Sequence, residues 1–301
     1  NTADGAKVLA LARRKNPLQS MCRQTEMAAV DPWHRSERAL SQQRLDVEGV
    51  DHPKLDAAVV ARLDQGLAEL SLDLPAGARE RLLTYLEQLI RWNKSYNLTA
   101  VRDPLDMVNL HLLDALSELP ALTRLRATQS ATHMVDVGAG AGLPGIALAI
   151  ISPGLALTLV ESSGKKAAFM RQTGIELGLQ RFDVCQSRVE KLTRTSLAQG
   201  PVDVLICRAF RSLSEFLELT GHLINERTII VAMKGPAADD ELRELDAALA
   251  ADGALASLAP LVRSRRISVE TLTVPGLDAT RKLIVLEPRA DASVHQPTIQ
   301  E

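Results

Sequence analysis

Aromatic residues are scarce: two Trp, two Tyr and four Phe make up 3% of the 301 residues, so any ring-stacking role falls on a few side chains. Cysteine is scarcer still. Cys22, Cys185 and Cys207 are an odd number without Cys-x-x-Cys or His spacing, which excludes a disulfide framework, argues against a structural metal and suits a reducing cytoplasm. No long hydrophobic run is present. The longest apolar stretch, 146–151, stops at Ser152-Pro153-Gly154, far short of the roughly 20 residues that span a bilayer, so no membrane association is expected. A surplus of positive charge is missing as well: 35 Lys and Arg stand against 37 Asp and Glu, a formal charge of −2. Any nucleic-acid contact must therefore be a local patch.

What is present is ordinary globular composition, 46% hydrophobic and 24% charged with 17 Gly and 14 Pro. Residues 1–54 mix charges without a sustained period, begin on Asn1 rather than Met, and read as a poorly ordered extension. From Leu55 the pattern changes. Leu55, Val59, Leu63, Leu67 and Leu70 recur at helical spacing, as do Leu82, Leu83, Leu86, Leu89 and Ile90. A third helix is expected over 105–119, opened by Asp103-Pro104 and stopped at Pro120, giving a helical lobe over 55–125.

Beyond a polar stretch at 123–132 the grammar becomes strand, glycine turn, helix. Strands are expected at 134–137, 155–160, 182–185, 202–206, 228–233, 267–273 and 282–286. Alternation with helices predicts an α/β doubly wound sheet, and Pro275-Gly276-Leu277-Asp278 joins the last two strands without a helix, so they pair antiparallel. The first strand runs into Asp136-x-Gly138-x-Gly140-x-Gly142, and Gly145 opens the next helix. Glycines at a strand-to-helix turn let backbone N–H groups approach a nucleotide-like ligand, and they also permit tight packing. Gly140-x-Gly142-x-x-Gly145 by itself fits a dinucleotide and S-adenosylmethionine alike; Asp136 and the antiparallel strand pair favour the methyl donor. Glu161, ending the second strand, is placed to accept ribose hydroxyls, or else is a solvated charge.

The segments Trp92-Asn93-Lys94-Ser95-Tyr96-Asn97-Leu98-Thr99-Ala100, His111-Leu112-Leu113-Asp114, Val135 through Gly145, Ser187-Arg188-Val189-Glu190 and Arg208-Ala209-Phe210 occur in one order. Together they resemble the RsmG (GidB) family of 16S rRNA guanine-N7 methyltransferases, over about residues 60–287. The resemblance implies a class I, Rossmann-like methyltransferase fold over 130–290, with a mostly parallel seven-stranded sheet and an antiparallel last strand. The helical lobe precedes it and a flexible tail, 291–301, follows. It further implies S-adenosyl-L-methionine as donor and one guanine in the decoding region of the small-subunit rRNA as acceptor, in free RNA or the 30S subunit. Carried over by position, Gly138 and Leu143 meet the cofactor, Val189 and Glu190 flank its adenine, and Arg208 closes the pocket. Departures are Glu161, where aspartate is commoner, Leu110, where lysine often precedes the His, and Ala115, where serine commonly follows the Asp.

Guanine N7 offers a lone pair and carries no proton to remove, so the resemblance implies no general base; the task is alignment and exclusion of water. Arg208 is a contact to donor carboxylate, phosphate or guanine, or a structural ion pair. His111 and Asp114, three apart, are read as a pair tying the lobe to the sheet. Arg91, Lys94, Arg102, Lys165, Lys166, Arg171, Arg188, Arg211 and Lys234 are the candidate phosphate contacts. Trp92 and Tyr96 either stack on a base or, as helix spacing favours, pack between lobes. The competing readings are a methyltransferase for another RNA or a small molecule, and a non-catalytic S-adenosylmethionine-binding module.

Overall fold

A computed structural model describes residues 55–289; the expectations for 1–54 and 291–301 lie outside them. Two long helices come first, α1 (Ala57–Glu69) and α2 (Ala78–Tyr96). Asp56 caps α1 by accepting the Ala58 N–H, and both helices turn their leucine stripes inward. The third expected helix is broken into pieces. A single α-helical turn, α3 (Pro104–Met107), passes into a π-helical turn at Val108–Leu113 and back to α4 (Asp114–Leu116). The wider π turn inserts a residue without disturbing the apolar spacing, so period alone does not disclose it. Pro120 does not stop a helix; it lies in the first turn of α5 (Leu119–Arg124), where a missing N–H costs nothing.

The remaining elements alternate as expected: β1 (His133–Val137), α6 (Gly145–Ile151), β2 (Ala156–Val160), α7 (Gly164–Glu176), β3 (Phe182–Cys185), β4 (Val204–Arg208), α8 (Leu213–Thr220), β5 (Ile229–Lys234), α9 (Ala238–Ala250), α10 (Ala259–Arg263), β6 (Arg265–Leu272) and β7 (Arg281–Pro288). They build one seven-stranded sheet in the order β3-β2-β1-β4-β5-β7-β6. Strands β1 to β5 run parallel, and β7 lies antiparallel to both β5 and β6. The chain reverses direction across the sheet between β3 and β4, so the carboxyl ends of β1, β2 and β4 frame the crevice where open α/β sheets bind ligands.

Alternation along each strand divides the core. Met134, Leu157, Leu159, Val204, Ile206 and Met233 face one layer, and that layer continues into Leu63, Leu82, Leu86, Leu112 and Leu116 of the leading helices. Val135, Val137, Leu205, Cys207, Ile230 and Ala232 face the other layer with Phe216, Leu217 and Leu245. The leading helices thus share a hydrophobic core with the sheet, through burial that contributes about 25 cal/mol per Å² of apolar surface. Trp92 packs its ring 5.7 Å from Phe169 of α7, as the interlobe reading expects, while Tyr96 stays 44% exposed.

Candidate functional site

The β1–α6 turn holds four glycines with two different jobs. A Cβ on Gly142 would fall 2.3 Å from Ile146 Cδ1, and one on Gly145 would fall 2.7 Å from Leu159 and 2.9 Å from Asp136; the first lets Ile146 of α6 pack against the turn, and the second permits close helix-to-sheet packing. Gly138 and Gly140 sit at φ +72° and +61°, in the left-handed region, and a Cβ there would meet only Phe210 ring carbons at 3.8 Å and the Gly138 carbonyl at 3.9 Å. Their faces are open, and that is the face a ligand would take.

Around the turn, backbone groups are held by side chains from three directions. Asp136, fully buried, accepts the Gly145 N–H at 2.9 Å from beneath. Burial pushes its carboxyl up to about 7, opposed by that hydrogen bond and by Arg208. Glu161 accepts the Gly140 N–H at 3.0 Å through one oxygen and the Ser163 N–H at 2.8 Å through the other. A carboxylate offers about four lone-pair sites, so two stay available to hydroxyl donors. The third hold comes from α2: Tyr85, fully buried, donates its hydroxyl to the Ala141 carbonyl at 2.9 Å. Nothing in the sequence pattern marks Tyr85, whose position on a leucine stripe reads as core.

Leu143 is buried beneath the turn. Val189 is buried at the start of a 3-10 turn, Val189–Lys191, that follows β3, with Glu190 beside it exposed. Gly138, Gly140 and Glu161 thus gather at the ends of β1 and β2, and Val189 and Glu190 follow β3, the strand beside β2.

A cavity of about 410 Å³ adjoins this turn, lined by His111, Asp114, Arg208, Phe210, Lys234, Glu241 and Arg281 among others. Phe210 joins the two features, since its ring also faces Gly138. The β4–α8 loop that presents Phe210 turns at Ala209, φ +55°, a conformation costly for any residue with a Cβ. It is clamped from β5 and α9: Lys234 donates to the Phe210 carbonyl at 3.0 Å, and Glu241 accepts the Leu213 N–H at 2.8 Å and pairs with Lys234 at 2.7 Å. Lys234, expected as a phosphate contact, is therefore a buried structural cation.

Arg208 proves to be ion-paired. It reaches Asp114 Oδ2 at 3.0 Å, and Arg281 reaches Asp114 Oδ1 at 2.8 Å. Asp114 does tie the helical segment to the sheet, but not through His111. The π turn separates the two, and His111 Nδ1 instead faces the Leu110 carbonyl at 3.0 Å while Nε2 lies 2.9 Å from the Thr99 hydroxyl. Burial and the nearby Arg208 hold the His111 imidazole below its ordinary value, in its neutral form near pH 7. The Leu110 carbonyl also accepts from Arg208 at 3.4 Å, and Ala115 is fully buried, so both departure positions face inward through backbone or methyl.

Asn93 organises the adjoining turn, donating to the Val101 carbonyl and accepting the Thr99 N–H, each at 3.0 Å. Arg102 is engaged there by the Asn93 carbonyl and Asn97. Arg91 pairs with Glu176, and Arg171 donates to the Val184 carbonyl. Arg188 and Arg211, with side chains 71% and 86% exposed, stay largely in solvent, as do Lys94 and Lys165. Glu118 escaped the sequence reading altogether. It is fully buried, neither carboxylate oxygen has a hydrogen-bond partner among the described residues, and desolvation raises it well above the usual carboxylate range.

A seven-stranded sheet of this order, with an antiparallel β7 and an open-faced glycine turn after β1, defines a Rossmann-like methyltransferase. Comparison with known proteins narrows the class. The family described as rRNA small subunit methyltransferase G matches residues 78–268. Relatives carrying the name Ribosomal RNA small subunit methyltransferase G include one from Azoarcus sp. (strain BH72), 43% identical over 75% of this chain and 94% of its own length. Another, from Methylobacillus flagellatus, is 44% identical over 76% of this chain and 98% of its own, and one from Chromohalobacter salexigens is 48% identical over 62% and 85%. The chain belongs to the rRNA small subunit methyltransferase G family, and it is a methyltransferase.

Proposed function

We propose that the protein transfers the methyl group of S-adenosylmethionine to N7 of one guanine in the decoding region of 16S rRNA, within the cytoplasm. The observation that carries this reading is the continuity, through the Phe210 ring, between the open faces of Gly138 and Gly140 and the cavity on the other side. The glycine turn fits the donor: backbone is exposed, Glu161 keeps acceptor capacity for the ribose hydroxyls, and Val189 and Glu190 stand at the adenine side. Gly142, Leu143 and Asp136 support the turn from inside, and Arg208 lines the adjoining cavity.

When bound, the donor supplies a methyl group activated by its sulfonium. The chain's part is positional. Phe210 offers a face for a base lifted out of the RNA, and the clamped β4–α8 loop fixes that face. Because N7 carries no proton, no residue needs to act as a base, and orientation is the main contribution. Exposed Lys94, Lys165, Arg188 and Arg211 are the remaining phosphate candidates. No helix among the described residues is long and apolar enough to cross a membrane. The reading is tested by offering labelled donor with 30S subunits lacking the modification, 50S subunits and small methyl acceptors. Label in 16S rRNA alone supports it. Label confined to another acceptor moves the assignment to a different methyltransferase, and donor binding without transfer to a non-catalytic module.

A further inference from the structure

The charged groups of the cavity are nearly all spent on one another. Asp114 divides its two oxygens between Arg208 and Arg281, and Lys234 is taken by the Phe210 carbonyl and Glu241. Glu241 is engaged through one oxygen only. Its Oε2 takes both Lys234 Nζ, at 2.7 Å, and the Leu213 N–H, at 2.8 Å, while Oε1 has no partner among the described residues. The side chain lines the cavity with Phe210 and keeps 17% of its surface exposed. An uncommitted carboxylate oxygen therefore stands on the wall beside the aromatic face.

That oxygen accepts hydrogen bonds and donates none. Among the four RNA bases, only guanine carries two neighbouring N–H donors, N1–H and the 2-amino group, on its Watson–Crick edge. Adenine presents an acceptor at N1, and cytosine an acceptor at N3. The sheet order fits the same base. Gly138 follows β1 and Glu241 follows β5, two strands apart, or about 10 Å at the usual spacing, with the Phe210 loop after β4 between them. A guanine lying on Phe210 with N7 toward the glycine turn turns its opposite edge, N1 and N2, toward Glu241.

We propose that Glu241 Oε1 reads the N1–H and 2-amino edge of the acceptor base and is the group that selects guanine. The proposal rests on the guanine-N7 reading of the site. Glu241→Gln is an unusually directed probe. Both partners of Oε2 are donors, so the amide must turn its oxygen to them and its NH₂ to the cavity, replacing an acceptor by a donor while the loop clamp stays made.

The experiment measures kcat/KM on 30S subunits reconstituted with 16S rRNA carrying guanosine or inosine at the target; inosine keeps N7 and N1–H and lacks only the 2-amino group. The wild-type protein should prefer guanosine by at least about tenfold, and Glu241→Gln should lose about a hundredfold on guanosine and bring the guanosine-to-inosine ratio close to one. Donor affinity, measured by calorimetry in both proteins, should not change. A ratio that persists in Glu241→Gln, with both substrates slowed equally, assigns Glu241 to the loop clamp alone and overturns the proposal. A wild-type ratio near one with transfer intact overturns it without any variant. Absence of transfer from the wild-type protein to the guanosine RNA overturns the underlying reading and this proposal with it.

Discussion

Replacing Asp114 by Ala removes the one anion that pairs with both Arg208 and Arg281. The carboxylate is 4% exposed, its contacts are 3.0 and 2.8 Å, and the two arginines are 19% and 25% exposed, so water cannot take over the lost partner fully. Breaking a buried pair by deleting one member costs about 3–5 kcal/mol, because the survivors remain charged and desolvated. With total stabilities of about 5–15 kcal/mol, that is a large fraction. A protein of this size loses about 2–4 °C of Tm per kcal/mol, so a fall of roughly 10 °C is expected. The assay is urea unfolding followed by circular dichroism, in which the midpoint should fall while the slope is unchanged. Arg281→Met in the Asp114→Ala background should recover part of the loss, since a desolvated cation is then removed; the double-mutant cycle isolates the coupling. A loss below about 1 kcal/mol, the range of exposed pairs, would refute the claim that this triad fastens the helical segment to the sheet.

Tyr85→Phe leaves the ring in place and strips the Ala141 carbonyl of its donor, so stability should drop by about 1 kcal/mol and donor affinity severalfold, read by calorimetry. Gly138→Arg forces a side chain into the left-handed region and across the open face of the turn; donor binding should vanish while far-ultraviolet circular dichroism stays native, and unchanged affinity would remove the cofactor assignment. Glu118→Leu should stabilise the protein by about 2 kcal/mol at neutral pH, since a buried carboxyl without partners gives way to a hydrocarbon of similar size. The same groups set the pH profile. Glu118 and Asp136 have raised carboxyls, so their stability is complete below the unfolded carboxylate range and declines as pH climbs from about 4 toward 7 and beyond. His111 and His133 are held below 6.5, so stability declines as pH falls beneath that value. Unfolding free energies measured from pH 4 to 9 should decline less at the alkaline side in Glu118→Leu.

The sheet was legible because its information is local. Short apolar runs bounded by glycine or proline mark seven strands to within about two residues, and the absence of a helix between β6 and β7 discloses their antiparallel pairing. The glycine turn is legible for the same reason, though only the folded structure divides its glycines into packing and open-faced pairs. Partnerships across the chain are a different matter. Asp114 meets Arg208 and Arg281 at separations of 94 and 167 residues, and no spacing rule predicts which arginines a carboxylate finds. Spacing instead proposed His111, which a π turn directs to Thr99. Lys234 reads as a surface cation because lysines usually are, and nothing in the sequence around Glu118 marks it as buried; burial of each depends on elements packed from elsewhere in the chain.

The most direct measurement of the central claim is the position of the methyl group. Small subunits isolated from cells lacking the enzyme are treated with the protein and S-adenosylmethionine, and the RNA is then reduced and cleaved chemically at N7-methylguanine. One new cleavage at a single guanine of the decoding region is the expected result. Methylated 16S rRNA that resists this cleavage would contradict the account, because the methyl group would then lie on an atom that Phe210 and the glycine turn do not bring together.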